Sequence, residues 1–321
     1  MNTTESKNRL KSRKPKPEEK PKAKVKAVKE TPGSTFVDDS PIDFSDFADQ
    51  ALGLFVPTVE NEALISARTY IPMASEFSSI LTPKGLPCGH VSHMAGDSDT
   101  GKTTFAVYSA IQTQSIGGFV LYGLTEIKFD LNRAMAMGLD REKIVFYKPG
   151  TLEKLFEKGK EAITKFRAKH PDKPVLWIWD SISATPSEYE MDDKTANHNM
   201  KAANAISGEL RRIRAFLDTE EVHLMMINRI YQKQTKTSFE KQTSTYGGKA
   251  PKGFSTIQLE FSQIKKLIVK RKIDGDDVSL KVGMISKIEN TKNHLAKPFG
   301  SIELPIDKVG FVLGERKVVI E

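Results

Sequence analysis

The sequence predicts an α/β fold, with a mostly parallel central sheet flanked by helices and a C-terminal β-hairpin extension. From residue 63 onward, short apolar runs of strand character alternate with helical stretches. These runs are hydrophobic almost throughout, as expected for strands that a parallel sheet buries on both faces. Residues 265–290 are rich in β-branched side chains around Asp274-Gly275, a dipeptide typical of hairpin turns.

The elements follow one another in a regular order. The predicted strands are 90–96, 118–126, 143–148, 174–180 and 222–228, with further strands at 300–307 and 310–314 after the hairpin. The predicted helices are the stretch that begins KTTFAVYSAIQTQ, followed by 128–138, 151–169 and 197–218. A helix between two strands is the connection that a parallel pair requires.

Charge divides the chain into three parts. Residues 1–33 carry eleven Lys or Arg and four acids, with few large apolar side chains, and are expected to be a disordered basic tail. Residues 34–62 carry seven acids and no base among apolar side chains, and we interpret them as a subunit-packing element. Residues 63–321 form the core, whose excess of basic residues favours a polyanionic partner.

The composition also favours a cytoplasmic protein. Cys88 is the only cysteine, which excludes disulfides within the chain and suits a reducing compartment. No apolar run reaches the length of a membrane span, and no apolar segment follows the charged N-terminus as it would in a secretory signal. We therefore expect no membrane partner. The basic tail leaves compartment targeting and nucleic-acid tethering open as alternatives.

Residues 96–103 predict a phosphate-binding loop. Gly96-Asp97-Ser98-Asp99-Thr100-Gly101-Lys102-Thr103 fits G-x-x-x-x-G-K-[ST] at every position and lies between a predicted strand and a predicted helix. Glycines at both ends let backbone N–H groups converge on phosphate oxygens, and the helix that includes Thr104 adds its positive end. Lys102 would reach the β- and γ-phosphates and the Thr103 hydroxyl would bind Mg²⁺, so ATP and Mg²⁺ are the expected cofactors.

Two acidic residues end predicted strands near this loop. Asp180 closes VLWIWD, where a carboxylate at the C-terminal end of a parallel strand could hold the Mg²⁺ shell. The alternative for Asp180 is a cap for the following turn. Glu126 closes VLYGLTE and would face the same cleft. There it would act as the base that positions and deprotonates water. The alternative for Glu126 is a helix N-terminal acid.

The ordered set of motifs resembles the RecA-type recombinases, particularly their phage members. The motifs, in chain order, are IPMASEFSSILTPKGLPCGHVSHMAGDSDTGKTTFA, LTEIKFDLNRAMAMGLDREKI, VLWIWDSISA and MMINRI. The resemblance covers roughly residues 65–314. It implies a RecA-like P-loop ATPase core that hydrolyses ATP in a DNA-dependent reaction. It also implies single-stranded DNA as partner, homologous pairing and strand exchange in recombination and repair, and a homo-oligomer, a helical filament rather than a ring. Single-strand-binding or loader proteins are further expected partners, and the host cytoplasm is the expected location if a phage encodes the chain.

The same resemblance places the family's two DNA-binding loops near 183–201 and 232–254. The second loop also suits DNA by its own chemistry, because lysines neutralise phosphates and aromatic rings offer faces to unstacked bases. Its candidate DNA-binding residues are Lys233, Lys236, Lys241, Tyr246, Gly247, Gly248, Lys249 and Lys252. The alternative is a long solvated loop. The first loop is acidic at residues 188–193, which disfavours contact with a phosphate backbone.

Other residues take their roles from the resemblance alone. Glu126 matches the catalytic glutamate of the family. Lys292 matches a lysine in a segment that reaches ATP on the adjacent subunit, and His294 stands where a second lysine is usual. Arg229 stands where the family usually has a glutamine that senses the γ-phosphate. Arginine there could sense the phosphate through its charge or form an ion pair at the edge of the core, and both alternatives stay open.

Two other functions remain as alternatives at this stage. A ring-forming helicase or motor on the same core would usually carry an N-terminal primase-binding or zinc domain, for which the sequence gives no sign. A DNA-binding paralogue with negligible ATP turnover is disfavoured by the intact Lys102, Thr103, Glu126 and Asp180.

Overall fold

A computed structural model describes residues 69–126, 128–192, 198–232, 243–273 and 276–319. The predicted tail and the acidic segment 34–62 lie outside these residues, as do Lys233, Lys236, Lys241 and the turn Asp274-Gly275. Within the described ranges, no helix is long and apolar enough to cross a membrane.

A ten-stranded sheet is the centre of the described chain. A separate antiparallel pair, β1 (Tyr70–Ile71) and β2 (Leu86–Pro87), precedes it. The strands of the sheet are β3 (Val91–Gly96), β4 (Phe119–Leu124), β5 (Ile144–Tyr147), β6 (Val175–Asp180), β7 (Val222–Gln232), β8 (Thr243–Thr245), β9 (Ile257–Ile273), β10 (Asp276–Asn293), β11 (Ser301–Asp307) and β12 (Gly310–Phe311). Strands β5, β4, β6, β7, β3 and β9 are parallel in that spatial order, and β10, β11 and β12 continue the sheet antiparallel. Strand β8 pairs antiparallel with β7. The predicted α/β fold with its C-terminal hairpin is confirmed.

Helices cover both faces of this sheet. They are α1 (Lys102–Ser115), α2 (Leu131–Ala136), α3 (Leu152–Arg167), α4 (Glu188–Asp192), α5 (His198–Thr219) and α6 (Ala250–Phe254). Successive side chains of a strand point to opposite faces, so β6 supplies Leu176 and Ile178 to the core under α1. The same strand supplies Trp177 and Trp179 to the core under α3 and α5.

Several element bounds differ from the prediction for identifiable reasons. Helix α2 starts after Asp130 because the Asp130 carboxylate accepts the N–H of Arg133 and caps the helix. Strand β4 ends at Leu124, so Glu126 lies in the loop beyond the strand rather than at its end. The hairpin predicted over 265–290 is longer, because β9 begins at Ile257 beside β3, a parallel pairing that the local sequence does not reveal.

Candidate functional site

The phosphate loop joins β3 to α1, and packing fixes both of its glycines. A Cβ atom on Gly96 would lie 2.4 Å from the carbonyl oxygen of Phe261 on β9. Gly101 has a φ of +104°, and a Cβ there would lie 2.6 Å from Cδ1 of Ile306. The first N–H groups of α1 have no partner within the helix, so they are available to an anion. The loop therefore has the geometry that phosphate binding needs.

Lys102 lies at the centre of the loop. Its Nζ donates to the carbonyl oxygens of Gly96 at 2.9 Å and Asp97 at 2.5 Å, and lies 3.4 Å from Oγ1 of Thr100. Burial lowers the pKa of the Lys102 ammonium to about 8, and the nearby Asp180 carboxylate opposes that shift. Phosphate oxygens would be stronger acceptors for this ammonium than peptide carbonyls.

Asp180, the last residue of β6, lies beside the first turn of α1. Its Oδ2 accepts hydrogen bonds from the Thr103 hydroxyl at 3.1 Å and from the Tyr122 hydroxyl at 2.8 Å. Burial raises the pKa of Asp180, and the bond from Tyr122 opposes that rise. In the part of the chain that the structure describes, no three His, Cys, Asp or Glu side chains converge as a metal cluster. Thr103 and Asp180 would fit Mg²⁺, since this ion is usually bound by one or two carboxylates together with phosphate and water.

Glu126 is held by two donors across the cleft. The Ser181 hydroxyl donates to its Oε1 at 2.7 Å, and Nη2 of Arg229 contacts Oε1 and Oε2 at 3.1 and 3.0 Å. Burial alone would raise the pKa of Glu126, but the bonds from Ser181 and Arg229 outweigh it, so that its pKa is lowered. Arg229 therefore forms an ion pair with the candidate base, which is one of the two alternatives that the sequence left open.

One cavity of about 310 Å³ collects half of the predicted nucleotide-site residues. Those that line it are Ser98, Asp99, Lys102, Thr103, Glu126, Asp180 and Arg229. Thr104 lines a neighbouring cavity of about 400 Å³, together with Arg133 and Asp307, and Thr103 lines both cavities. The sequence did not single out Arg133, whose guanidinium lies 3.3 Å from Oγ1 of Thr104 and from the carbonyl oxygen of Asp307.

Lys292 and His294 lie away from the cavity of their own chain. The Lys292 ammonium donates to the carbonyl oxygens of Lys252 and Ser255 at 3.0 and 2.6 Å, and so holds the C-terminal end of α6. His294 is exposed, and its backbone N–H bonds the carbonyl oxygen of Thr256. The same segment exposes 81% of Phe299.

The described part of the second predicted DNA loop is tied to the first loop. The Tyr246 hydroxyl donates to Oε1 of Glu190 at 2.8 Å, and the Tyr246 carbonyl oxygen accepts from Nδ2 of Asn228 at 2.9 Å. Gly247 and Gly248 follow with φ values of +80° and +65°. Lys249 is exposed, whereas Lys252 has its ammonium 3.9 Å from Glu260. Two lysines of this loop therefore remain near the surface.

The acidic first loop has part of its charge engaged. Oε2 of Glu190 accepts from the backbone N–H of Ser187 at 2.7 Å and from its hydroxyl at 2.8 Å. Together with the bond from Tyr246, these contacts occupy both oxygens of the carboxylate. Glu190 is therefore a structural link between the loops as well as a source of negative charge.

Comparisons with known proteins identify the family. The family model described as the RecA N-terminal domain matches residues 68–309. Protein RecA of Ureaplasma parvum serovar 3 is 29% identical over 215 residues, which is 67% of this chain and 60% of that relative. Protein RecA of Mycoplasma genitalium is 26% identical over 274 residues, or 85% and 73% of the two chains, and that of Geobacter sulfurreducens is 26% identical over 223 residues, or 69% and 62%. With the fold and the phosphate loop in place, this chain belongs to the RecA family.

Proposed function

We propose that this protein is an ATP- and Mg²⁺-dependent recombinase that binds single-stranded DNA, forms nucleoprotein filaments and promotes homologous pairing and strand exchange in recombination and repair. The observation that carries the proposal is the convergence of Lys102, Thr103, Glu126, Asp180 and Arg229 on one cavity of a RecA-family fold. The aligned part spans about three-fifths of the first relatives. A DNA-dependent ATPase is accordingly the activity to test.

The residues of the cavity divide the work of ATP hydrolysis between them. Lys102 and the N–H groups of the loop would bind the phosphates, while Thr103 and Asp180 would hold Mg²⁺. When bound, Mg²⁺ neutralises the charge of the phosphate oxygens. Glu126 positions and deprotonates the attacking water. The neighbouring cavity adjoins the first at Asp99, Thr103 and Arg133, so we expect it to receive the nucleoside.

Arg229 has a double role in this scheme. It is bonded to Glu126, and a carboxylate bound by a guanidinium is a poor base because its negative charge is already stabilised. The γ-phosphate would compete for the same guanidinium with a larger negative charge. ATP binding would thus draw Arg229 away and free Glu126, so that the base becomes active when its substrate is present.

Single-stranded DNA would bind at the second loop. Lys249 and Lys252 supply positive charge beside the glycine pair of this loop. The other predicted contacts are Lys233, Lys236 and Lys241. Because Tyr246 bonds Glu190, base stacking on its ring would require this bond to reorganise. Strand binding is then expected to rearrange both loops together.

Filament formation would place the segment with Lys292 and His294 against a neighbouring subunit. Leu295 and Phe299 of the same segment are both exposed, and a contact with another chain would bury these apolar side chains. A helical filament rather than a ring, loader or single-strand-binding partners, a cytoplasmic location and a phage source stay predictions. The relatives reported above are bacterial proteins.

Electron microscopy of the purified protein tests this proposal directly. With single-stranded DNA and a non-hydrolysable ATP analogue, negative-stain images should show continuous helical filaments. Lys102→Ala should abolish nucleotide binding and filaments together, because the loop loses its cation. Closed rings, or filaments that form equally well with Lys102→Ala, would overturn the proposed function.

A further inference from the structure

The buried tyrosine of β4 makes a contact at the metal-binding carboxylate that the sequence did not predict. Tyr122 lies opposite Ile178 in the parallel register of β4 and β6, and Asp180 follows two residues later on the same face. This diagonal arrangement is within reach of a long side chain. The Tyr122 hydroxyl indeed lies 2.8 Å from Oδ2 of Asp180.

Aromatic packing leaves the Tyr122 side chain one orientation. The side chain is fully buried, with ring centroids 5.1 Å from Phe129 and 5.4 Å from Phe146. The hydroxyl that this packing places against Oδ2 of Asp180 is the donor of the hydrogen bond between them.

The two oxygens of Asp180 are not equivalent. Oδ2 accepts hydrogen bonds from the hydroxyls of Tyr122 and Thr103. Within the described residues, no donor contacts Oδ1. Asp180 lines the phosphate cavity, so a carboxylate fixed through Oδ2 keeps Oδ1 for a ligand in that cavity. Without the phenol, only the Thr103 hydroxyl would hold Oδ2, and this hydroxyl is itself a candidate metal ligand.

We propose that Tyr122 is a positioning residue that holds the Asp180 carboxylate by Oδ2 and so leaves Oδ1 available to the divalent cation that would bind with the nucleotide. This inference rests on the proposed function, because it assumes that the cavity binds a nucleotide with Mg²⁺. Partners behind metal ligands orient those ligands, and their loss typically lowers metal affinity by about 10-fold or more.

The test is the Mg²⁺ requirement of nucleotide binding in the full-length protein with Tyr122→Phe. This change removes the hydroxyl and keeps the ring packing. Binding of a fluorescent ATP analogue is titrated with Mg²⁺, and separately measured in EDTA. We expect the Mg²⁺ concentration for half-maximal tightening to rise about 10-fold, with the affinity in EDTA unchanged.

Tyr147→Phe is the matched control. Tyr147 also lies in the sheet, and its hydroxyl bonds the carbonyl oxygen of Leu155 and the indole N–H of Trp177, away from the phosphate cavity. Its loss should change thermal stability but not the Mg²⁺ requirement. A second variant, Tyr122→Leu, removes the hydroxyl with a different side chain and should shift the requirement in the same direction.

A double variant separates positioning from general loosening of the sheet. When Asp180→Asn already removes the charged carboxylate, adding Tyr122→Phe should cause no further rise in the Mg²⁺ requirement. The inference is overturned if Tyr122→Phe binds Mg²⁺ as the unaltered protein does, or if Tyr147→Phe shifts the requirement equally. If the unaltered protein binds no nucleotide at all, the proposed function fails instead.

Discussion

The ion pair between Arg229 and Glu126 provides a quantitative test of how the site responds to ATP. Each residue is changed to Gln, singly and together, and the affinity for a non-hydrolysable ATP analogue with Mg²⁺ is measured. If the γ-phosphate must draw Arg229 from Glu126, then Glu126→Gln tightens binding because it releases the guanidinium beforehand. That part of the gain exists only while Arg229 is present.

The size of the effect follows from the geometry of the pair. Both contacts come from one nitrogen, Nη2, rather than from a two-nitrogen fork. The side chains of Arg229 and Glu126 are 46% and 22% exposed, so solvent screens the attraction. A pair of this kind contributes at most about 1 kcal/mol. The expected coupling is therefore roughly fivefold in affinity.

Calorimetric titration of the four proteins gives the coupling directly. Removing a negative charge near the phosphate also tightens binding by itself, but this contribution cancels in the double-mutant cycle. ADP is the control ligand, and because it lacks the γ-phosphate it should show no coupling. If the two changes add within about 0.3 kcal/mol for the ATP analogue as well, the competition for Arg229 does not occur.

Three further predictions concern DNA binding, pH and packing. Changing Lys249 and Lys252 together to Ala should weaken binding of single-stranded DNA and reduce the salt slope by about 1.4, measured by fluorescence anisotropy at several salt concentrations. Burial lowers the pKa of His93 to about 3 and that of His223 to about 4. Below pH 6.5, the ordinary pKa of histidine, these side chains therefore take up protons in the unfolded chain but stay neutral in the folded chain. Stability should therefore fall as pH drops from 7.5 to 5, by about 2 kcal/mol for each histidine in urea denaturation, and His223→Gln should remove about half of this loss. Gly159→Ala should lower the free energy of unfolding by about 2 kcal/mol, because its Cβ would meet a tryptophan ring at 2.0 Å.

The lysine and glycine predictions each have a matched control variant. Lys158 and Lys160 are exposed on α3, and changing both to Ala should leave the salt slope as it is; an equal decrease would mean that Lys249 and Lys252 act only through net charge. Gly208 on α5 has open space around it, so Gly208→Ala should stabilise the protein by about 0.5–1 kcal/mol. A pH-independent free energy of unfolding would contradict the assignment of two neutral buried histidines.

Local patterns were sufficient to predict the fold and the phosphate loop. The spacing from Gly96 to Thr103 is contiguous, and the strand before it and the helix after it are visible in the same stretch. The position of Asp180 beside this loop follows from the rule that the carboxyl ends of parallel strands lie at one edge of the sheet. These inferences need no knowledge of which strands are neighbours.

The contacts of Tyr122 with Asp180 and of Arg229 with Glu126 could not be predicted, because they depend on the order and register of the strands. Leu124 pairs with Asp180 in the register of β4 and β6, which brings Tyr122 to the carboxylate across 58 residues of sequence. Glu126 and Arg229 are 103 residues apart. They meet because Glu126 follows β4, Arg229 lies on β7, and these two strands flank β6. Tyr122 has the appearance of one more core aromatic in an apolar strand, so no local signal separates it from its neighbours.

Strand β7 links the candidate nucleotide cavity to the second predicted DNA loop through two consecutive residues. Successive side chains alternate between faces, so while Arg229 faces the cavity, Asn228 faces the other way and donates to the Tyr246 carbonyl oxygen. Oδ1 of Asn228 also accepts the backbone N–H of Arg229 at 2.9 Å, and its amide nitrogen lies 3.2 Å from Nε2 of His93, a residue of the strand that leads into the phosphate loop. The side chain of Asn228 is therefore bonded to the main chain at Arg229 and at Tyr246. We therefore expect a shift of Arg229 towards a phosphate to move Tyr246 as well, because the Asn228 amide between them is buried and has no solvent to replace its partners.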